Sequence, residues 1–385
     1  MRLLYISHSN ANDGSNIALL NLIKGMISHG HDVAVITTAV DGPMVDELDS
    51  LGIEYDMTNT CMTIYPINKN PFLYIPRLIY LLYRQYIGQR AVIRMIKSFK
   101  PDIVHTNVGP LGIGYEACKK TGVPHVWHQR EFMDMIGIHF FPSFASFRKK
   151  SHAESNYNIC VTNGVFNHWK FDRKKDTVIY DGVFAKGLRN HLPERKPEKK
   201  ILFIGRIEFA KGLMDLLETF AIFCSRHPEY ELEVIGDTQK DSIPYKKKCL
   251  RYVHDKGLEH KVHILGRKEN IYTYMAKAKM LVMPSFFEGF GFVTAEAMAC
   301  GCPVIGRATA GIREQMENGL KLTGNDVGFM FSNNEEMLEA MEKVLSTDTS
   351  DMCASAKKTV FDLYTTERNV GNIEKYYNTI LSNRF

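Results

Sequence analysis

The sequence predicts an α/β protein made of two doubly wound, Rossmann-like domains, and three observations carry that prediction. At 385 residues the chain exceeds the size at which a single core is usual. Short apolar runs alternate with segments of helical period in both halves, the pattern of parallel sheets wrapped by helices on both faces. Between the halves, NHLPERKPEKK (residues 190–200) combines prolines and charges with little apolar content, which is linker chemistry. The expected domains are residues 1–190 and 191–365, followed by a terminal helix over about 366–385.

The first half opens on a strand at residues 3–7. A helix follows with Ile17, Leu20, Ile23 and Ile27 at core spacing, then a strand at 32–37. Further strands are expected at 103–106, 123–128, 158–162 and 177–180. In the second half, strands lie near Ile201, Leu232, Val262, Met280 and Val304, and Leu213, Leu216, Leu217, Phe220 and Phe223 mark a helix. The last segment sets Val370, Ile373, Tyr376, Tyr377 and Ile380 at helical spacing. Sheets of this kind take ligands at the carboxyl ends of their strands, so a site is expected in a cleft between the two domains.

Composition is globular, with 45% hydrophobic and 24% charged residues and no repeat or low-complexity tract. The eight cysteines are scattered through predicted elements and read as reduced core thiols; Cys300 and Cys302 have no second pair at zinc spacing, so no metal site is expected. MRLLYISHS reads as a first buried strand rather than a signal segment, which makes cytoplasmic residence the expectation. The net charge of +5 lies in the first half, where residues 1–190 hold 21 Lys and Arg against 16 Asp and Glu. Between Asp56 and Asp102 no acidic residue occurs, while Lys69, Arg77, Arg84, Arg90, Arg94, Lys97 and Lys100 are basic and PFLYIPRLIYLLYRQYI (residues 71–87) is apolar and aromatic. This stretch is too short and too charged to span a bilayer but suits an anionic membrane surface, the alternative being a domain helix with a solvated basic face. Nucleic acid is not an expected partner, because no recognised binding motif accompanies the charge.

The chemistry concentrates in PSFFEGFGFVTAEAMACGCPVIG (residues 284–306), where Glu288 and Glu296 stand eight positions apart around a glycine turn. Gly289 and Gly291 let a loop approach a ligand with bare backbone, and Phe292 opens a helix over residues 292–299. That geometry turns amide N–H groups and a helix dipole toward an anion, with the Phe290 and Gly291 amides assisting. Glu296, inside the helix, would repel phosphate and suits neutral hydroxyls such as a ribose diol. Some eighty residues upstream, the apolar run ILFIG ends at Gly205; Arg206 follows, and Lys211 and Gly212 precede the helix. Strand, glycine turn, cation and helix form a phosphate-site order, and the two cations together could neutralise a diphosphate. The alternative is a solvated loop with ordinary surface cations.

Taken with the order of the whole chain, these residues resemble the family 4 retaining glycosyltransferases of the GT-B fold. The resemblance rests on LYISHSNANDGSNIALLNLIKGMISHGHDVAVIT, VIYDGVF, IGRIEFAKG, the long run ending in EGFGFVTAEAMACGCPVIG, and a terminal helix ending in EKYYNTILSNRF. It departs from the family where Asn12, Asp13 and Gly14 replace a glycine pair and where Asp181 replaces the usual Asn. The resemblance implies an acceptor-binding first domain on which the last helix packs back, and a second domain that binds a nucleotide sugar, UDP-linked before GDP-mannose. In that reading Glu288 contacts the donor sugar, Glu296 the ribose, and Gly266 and Arg267 the base, while Gly14 borders the donor. His128, at a strand end, resembles a histidine that touches donor sugar or acceptor; His8 and His105 are weaker candidates of the same kind. Ser15, Arg130, Glu131 and Asp134 are candidates for acceptor binding. Arg206 and Lys211 would stabilise the leaving diphosphate. No Asp-any-Asp triplet occurs, so the site is expected to need no metal or other cofactor. The implied activity is a retaining, front-face transfer of a hexosyl or N-acetylhexosaminyl group to a glycan acceptor, lipid-linked, in capsule or surface polysaccharide assembly. The alternatives are a sugar-nucleotide epimerase or soluble-acceptor transferase of the same fold, or a non-catalytic partner subunit.

Overall fold

The computed structural model describes residues 1–11, 13–65, 71–135 and 139–383, so Asn12 and Lys69 lie outside the described residues. The chain divides into two compact units, Met1–Gly182 with Thr366–Phe385, and Val183–Thr365. The first runs β1 (Arg2–Ile6), α1 (Gly14–Ser28), β2 (Asp32–Thr38), α2 (Pro43–Ser50), β3 (Glu54–Thr58), α3 (Pro71–Phe99), β4 (Ile103–Thr106), α4 (Ile113–Thr121), β5 (His125–Gln129), α5 (Phe144–Ser151), β6 (Asn156–Cys160), α6 (Asn163–Trp169) and β7 (Thr177–Val178). The second runs β8 (Lys200–Ile204), α7 (Leu213–Arg226), β9 (Glu231–Ile235), α8 (Ile243–Asp255), β10 (Val262–Gly266), α9 (Ile271–Lys277), β11 (Met280–Met283), α10 (Phe292–Ala299), β12 (Val304–Arg307), α11 (Ala310–Thr323), β13 (Phe329–Phe331), α12 (Asn334–Ser346) and α13 (Ser350–Leu363). The last helix, α14 (Thr366–Ser382), returns to the first unit.

Each unit holds one parallel sheet, ordered β3-β2-β1-β4-β5-β6-β7 in the first and β10-β9-β8-β11-β12-β13 in the second. These are two doubly wound, Rossmann-like domains. Alternate residues of the central strands face opposite layers: Leu3, Tyr5, Val33, Val35 and Ile103 pack with α1 and α14, whereas Leu4, Ile6, Ala34, Ile36 and Val104 pack with α3 and α4. The second sheet buries Ile201, Phe203, Leu232, Val234 and Met280 against Leu213, Leu216, Leu217, Phe220 and Phe223 of α7.

Two details differ from the sequence reading. Helix α1 buries Leu19, Leu22, Ile23 and Met26, while Ile17 and Ile27 are exposed. The helix is apolar over most of its circumference, so period alone does not select a face, and the partner does: a Cβ on Gly25 would stand 2.3 Å from Val370 Cγ2 of α14. The reading also misses β3 and β13. The first, EYDMT, is an edge strand with one buried residue, and the second has three residues at the edge of its sheet. The alternation of Tyr55 and Met57 in the first is confined to five residues, and the second is a run of only three, so neither stands out from its surroundings.

Residues 190–200 are tied onto the second unit, where Lys196 N–H donates to Ala276 O at 3.0 Å and Glu198 N–H to Lys277 O at 2.6 Å. Helix α3 is continuous, and its two halves differ. Gly88 allows it to cross the Asn59 carbonyl, since a Cβ there would meet Asn59 O at 2.6 Å. Beyond that crossing Ala91, Val92, Met95, Ile96 and Phe99 are buried, but no side chain from Phe72 to Ile87 is. Among the described residues no helix is long and apolar enough to cross a membrane. All eight cysteines are free thiols, seven of them buried.

Candidate active site

In the second unit, the turn after β8 and the loop after β11 are pressed together by glycine. Gly212 takes φ +69°, and a Cβ on it would lie 2.2 Å from Pro284 O, a fit only glycine allows. Phe286 N–H donates to Ala210 O at 2.9 Å, and the Phe209 and Phe286 rings stack with centroids 5.2 Å apart. This contact brings Lys211 to Glu288, whose carboxylate accepts from Lys211 Nζ at 2.8 Å, both side chains being less than one-fifth exposed. Arg206 extends from the same turn, half exposed, and pairs with Glu208 at 3.1 Å. Gly205 precedes it, and its carbonyl is approached by Gly236, where a Cβ would stand 2.0 Å away.

The loop carrying Glu288 is held from behind by α11. Gly311 N–H donates to Glu288 O at 3.0 Å. A Cβ on Gly311 would collide with Phe290 O at 2.4 Å, and Gln315 Nε2 donates to Phe290 O at 2.7 Å and to Gly291 O at 3.1 Å. Arg307, at the end of β12, donates to Pro284 O at 3.0 Å, stacks over Phe286 and forms an ion pair with Asp215 of α7. Phe290 is buried and packs edge-on against Phe292 and Tyr364. Gly291 adopts φ +92° and is the N-cap of α10, so no side chain caps the amides of its first turn. Gly289 lies in the same loop, between Glu288 and Phe290.

Glu296 sits in α10, partly buried, with Tyr272 Oη 3.5 Å from its carboxylate. Burial pushes its carboxyl up to about 7, and the Tyr272 hydroxyl offsets part of that rise. Gly266 ends β10 at φ +68° with its carbonyl accepting from Gly236 N–H at 2.9 Å, and Arg267 beyond it is exposed. The second unit therefore gathers Gly205, Arg206, Lys211, Glu288, Gly289, Phe290, Gly291, Phe292 and Glu296 on its β8, β11 and α10 ends, with Gly266 and Arg267 at the end of β10.

The remaining candidates lie on the first unit. Gly14 is the first residue of α1, capped by the Asp13 carboxylate, which accepts from Asn16 N–H at 3.1 Å and from Ser15 Oγ at 2.7 Å. Asn107 joins this turn to Arg130, donating to Ser15 O at 3.0 Å while its own oxygens accept from the guanidinium. Arg130 is buried and directed inward, with Nη1 bound by both oxygens of Asp181 at 2.7 and 2.5 Å and Nη2 3.3 Å from His128 Nδ1. Expected to meet an acceptor, Arg130 instead neutralises Asp181, the residue that departs from the family's Asn. His128 is wholly buried at the end of β5 beside His105, and burial, aided by the Arg130 charge, holds both imidazoles well below the usual histidine value. His8 is also lowered by burial, against the Asp13 charge. Glu131 is exposed, and Asp134 pairs with His168 at 2.8 Å. Gln315, Gly236, Tyr272, Asn107 and the Asp215–Arg307 pair escaped the sequence reading.

Two Rossmann-like domains, the second carrying a Lys211–Glu288 pair at a glycine turn and a helix N-terminus without a side-chain cap, suit a glycosyltransferase of the GT-B fold. Two family models cover the chain, one described as Glycosyltransferase Family 4 over residues 12–185 and one as Glycosyl transferases group 1 over residues 186–360. The chain belongs to the family 4 glycosyltransferases. It is 28% identical over 251 residues to the uncharacterized glycosyltransferase MJ1178 of Methanocaldococcus jannaschii, covering 62% of this chain and 64% of that protein. It is 30% identical over 173 residues to the N-acetylgalactosamine-N,N'-diacetylbacillosaminyl-diphospho-undecaprenol 4-alpha-N-acetylgalactosaminyltransferase of Campylobacter jejuni, covering 43% of this chain and 45% of that protein. The match thus spans less than two thirds of either relative. Among solved structures, Anabaena Alr3699/HepE in complex with UDP-glucose superposes with a TM-score of 0.78 at 18% identity, over 98% of this chain and all of that one.

Proposed function

We propose that the protein transfers a hexosyl or N-acetylhexosaminyl group from a UDP-sugar, with retention, to a lipid-linked glycan at an anionic membrane surface. The observation that carries the donor half is the Lys211–Glu288 pair beside the uncapped N-terminus of α10. A diphosphate there would meet Lys211, Arg206 and first-turn amides, while Glu288, released from Lys211, would be left for sugar hydroxyls and Glu296 for the ribose. The charge that builds on the leaving group is met by these cations, so the reading is of transfer without a metal. In the front-face route the anomeric carbon–oxygen bond to the diphosphate breaks, the acceptor oxygen bonds on the same face, and its proton passes to the departing phosphate oxygen. The UDP-glucose complex of HepE supports the choice of donor, and the undecaprenol-linked substrate in the name of the Campylobacter relative supports a lipid-linked acceptor in glycan assembly. Calorimetry with UDP, GDP and their sugar conjugates, in chelator, tests the donor site. Micromolar binding of a uridine nucleotide is expected; binding of none, or binding only after a divalent cation is restored, would overturn this reading.

The membrane half rests on α3. Phe72, Ile75, Ile79, Tyr80, Tyr83 and Tyr86 are each more than half exposed on a helix whose flanking charges, Arg77, Arg90 and Arg94, are all positive. An apolar face of that size rimmed by cations suits the interface of an anionic bilayer. Flotation should show binding to phosphatidylcholine vesicles only when phosphatidylglycerol is included, weakening with salt. Ile79→Glu with Tyr83→Glu should abolish it. A dimer that these substitutions dissolve, with no vesicle binding, would assign the face to a second copy instead.

A further inference from the structure

The first unit contains a run of buried polar contacts whose directions can be assigned from donor and acceptor chemistry alone. Tyr377 Oη of α14 lies 2.5 Å from His105 Nδ1, and His105 Nε2 lies 3.2 Å from His128 Nδ1. Arg130 Nη2 approaches the same His128 Nδ1 at 3.3 Å and is itself anchored through Asp181 and Asn107. A guanidinium has donors and no acceptor, so the ring nitrogen that faces it must carry a lone pair. His128 Nδ1 is therefore an acceptor, and in the neutral ring the proton resides on Nε2. The same lone pair requires His105 to present its proton at Nε2. His105 Nδ1 must then accept, and the Tyr377 hydroxyl donates to it. Burial and the adjacent Arg130 charge keep both rings uncharged, which the assignment requires.

One atom at the end of this run is unmatched. His128 Nε2, wholly buried, has no hydrogen-bond partner among the described residues. An N–H donor left so is destabilising, and a structure that satisfies the ring's other nitrogen twice over leaves this one for an oxygen supplied from outside.

We propose that Tyr377 and His105 are positioning residues, which together with Arg130 lock His128 in the tautomer that offers Nε2–H as a neutral hydrogen-bond donor to an uncharged sugar oxygen. This rests on the reading of the protein as a sugar transferase whose first unit borders the substrate. The locked tautomer forbids a second role: with Nε2 protonated and the Nδ1 lone pair already engaged by two donors, His128 has no free lone pair to accept the acceptor's proton. The terminal helix thereby contributes to the site through a hydroxyl that never touches substrate.

The test is long-range proton–nitrogen NMR on histidine-labelled full-length protein, which reads the tautomer without any assay of activity. His128 and His105 should both report Nε2–H tautomers in the wild type, unchanged across neutral pH. Tyr377→Phe, which removes only the hydroxyl, should shift the His105 Nδ1 signal by loss of its donor, while the Nε2–H that His128 Nδ1 requires is kept and the ring is held less firmly. It should also lower kcat about five- to tenfold, as for one lost hydrogen bond, with donor KM unchanged. His105→Gln, which keeps an N–H donor, should retain the His128 signal and most of kcat, whereas His105→Leu should lose both. A wild-type His128 carrying its proton on Nδ1, or charged, would overturn the proposal, as would unaltered histidine signals in Tyr377→Phe. If the tautomers are as assigned but no nucleotide sugar binds, the failure lies with the transferase reading and not with the assignment.

Discussion

Replacing Lys211 by methionine is expected to lower kcat/KM for the nucleotide sugar by about 10²–10³-fold, the usual loss when one preorganised charge-stabilising donor is removed. The expectation follows from how firmly that ammonium is placed. The turn that carries it is fixed by Gly212 against Pro284 O, by Phe286 N–H on Ala210 O and by the stack of Phe209 on Phe286. Methionine keeps the length and apolar stem and removes only the charge. It also leaves Glu288, mostly buried, without the cation that faces it at 2.8 Å, so Glu288→Gln in the same background should recover part of the stability and none of the turnover. Arg206 is half exposed and paired to Glu208, so Arg206→Met should have a smaller effect. Steady-state kinetics on the three variants decides the matter, and a Lys211→Met enzyme with unchanged kcat/KM would remove Lys211 from the chemistry.

The second large effect concerns Glu296. Its carboxyl titrates near 7 because burial disfavours the charged form, so at pH 6 the ligand-free protein holds mostly acid and at pH 8 mostly carboxylate. A ribose diol donates two O–H groups and pairs with the carboxylate, so nucleotide affinity should rise with pH through 7. Below that point the fall approaches tenfold per unit, and binding should release a proton, visible as a dependence of calorimetric heat on the buffer. Glu296→Gln should bind weakly and without that pH dependence. Stability should move the other way. A carboxyl raised in the folded state contributes most below its unfolded value near 4.5, and the contribution is lost as pH climbs through 7. Glu296→Gln should therefore stabilise the fold more at pH 8 than at pH 5, by an amount on the order of 1–3 kcal/mol, read by denaturant unfolding at the two pH values. A binding curve flat in pH for the wild type would show that Glu296 does not take the ribose.

The contrast between what the sequence reveals and what it hides follows from range. Glu288, Gly291 and Glu296 are legible because a loop and the helix it opens form one local stretch, and Arg206 and Lys211 because strand, turn and helix follow without interruption. The residues that hold them are distant in sequence and carry no spacing signal: Gln315 reaches Phe290 from α11, and Arg307 joins Asp215 across 92 positions. Arg130 shows the same limit in reverse. Its place after a strand end suggested a ligand contact, but the direction of its side chain is set by Asp181 and Asn107, which no period or motif connects to it. Edge strands such as β3 and β13 are hidden because little of them is buried.

The position of α14 has a consequence for how the protein is made. The seam it covers, formed by Leu19, Leu22, Ile23 and Met26 of α1 with Leu3 and Tyr5 of β1, leaves the ribosome first. Its cover, Val370, Ile373, Tyr377 and Ile380, arrives only after the 183 residues of Val183–Thr365 have been synthesised. At about 5–20 residues per second that interval is roughly 10–40 s, during which the nascent first domain carries an open apolar groove while the second domain emerges and can fold to completion. Translation that stalls in between leaves the later domain finished and the earlier one unfinished, with a hydrophobic surface that chaperones and proteases recognise.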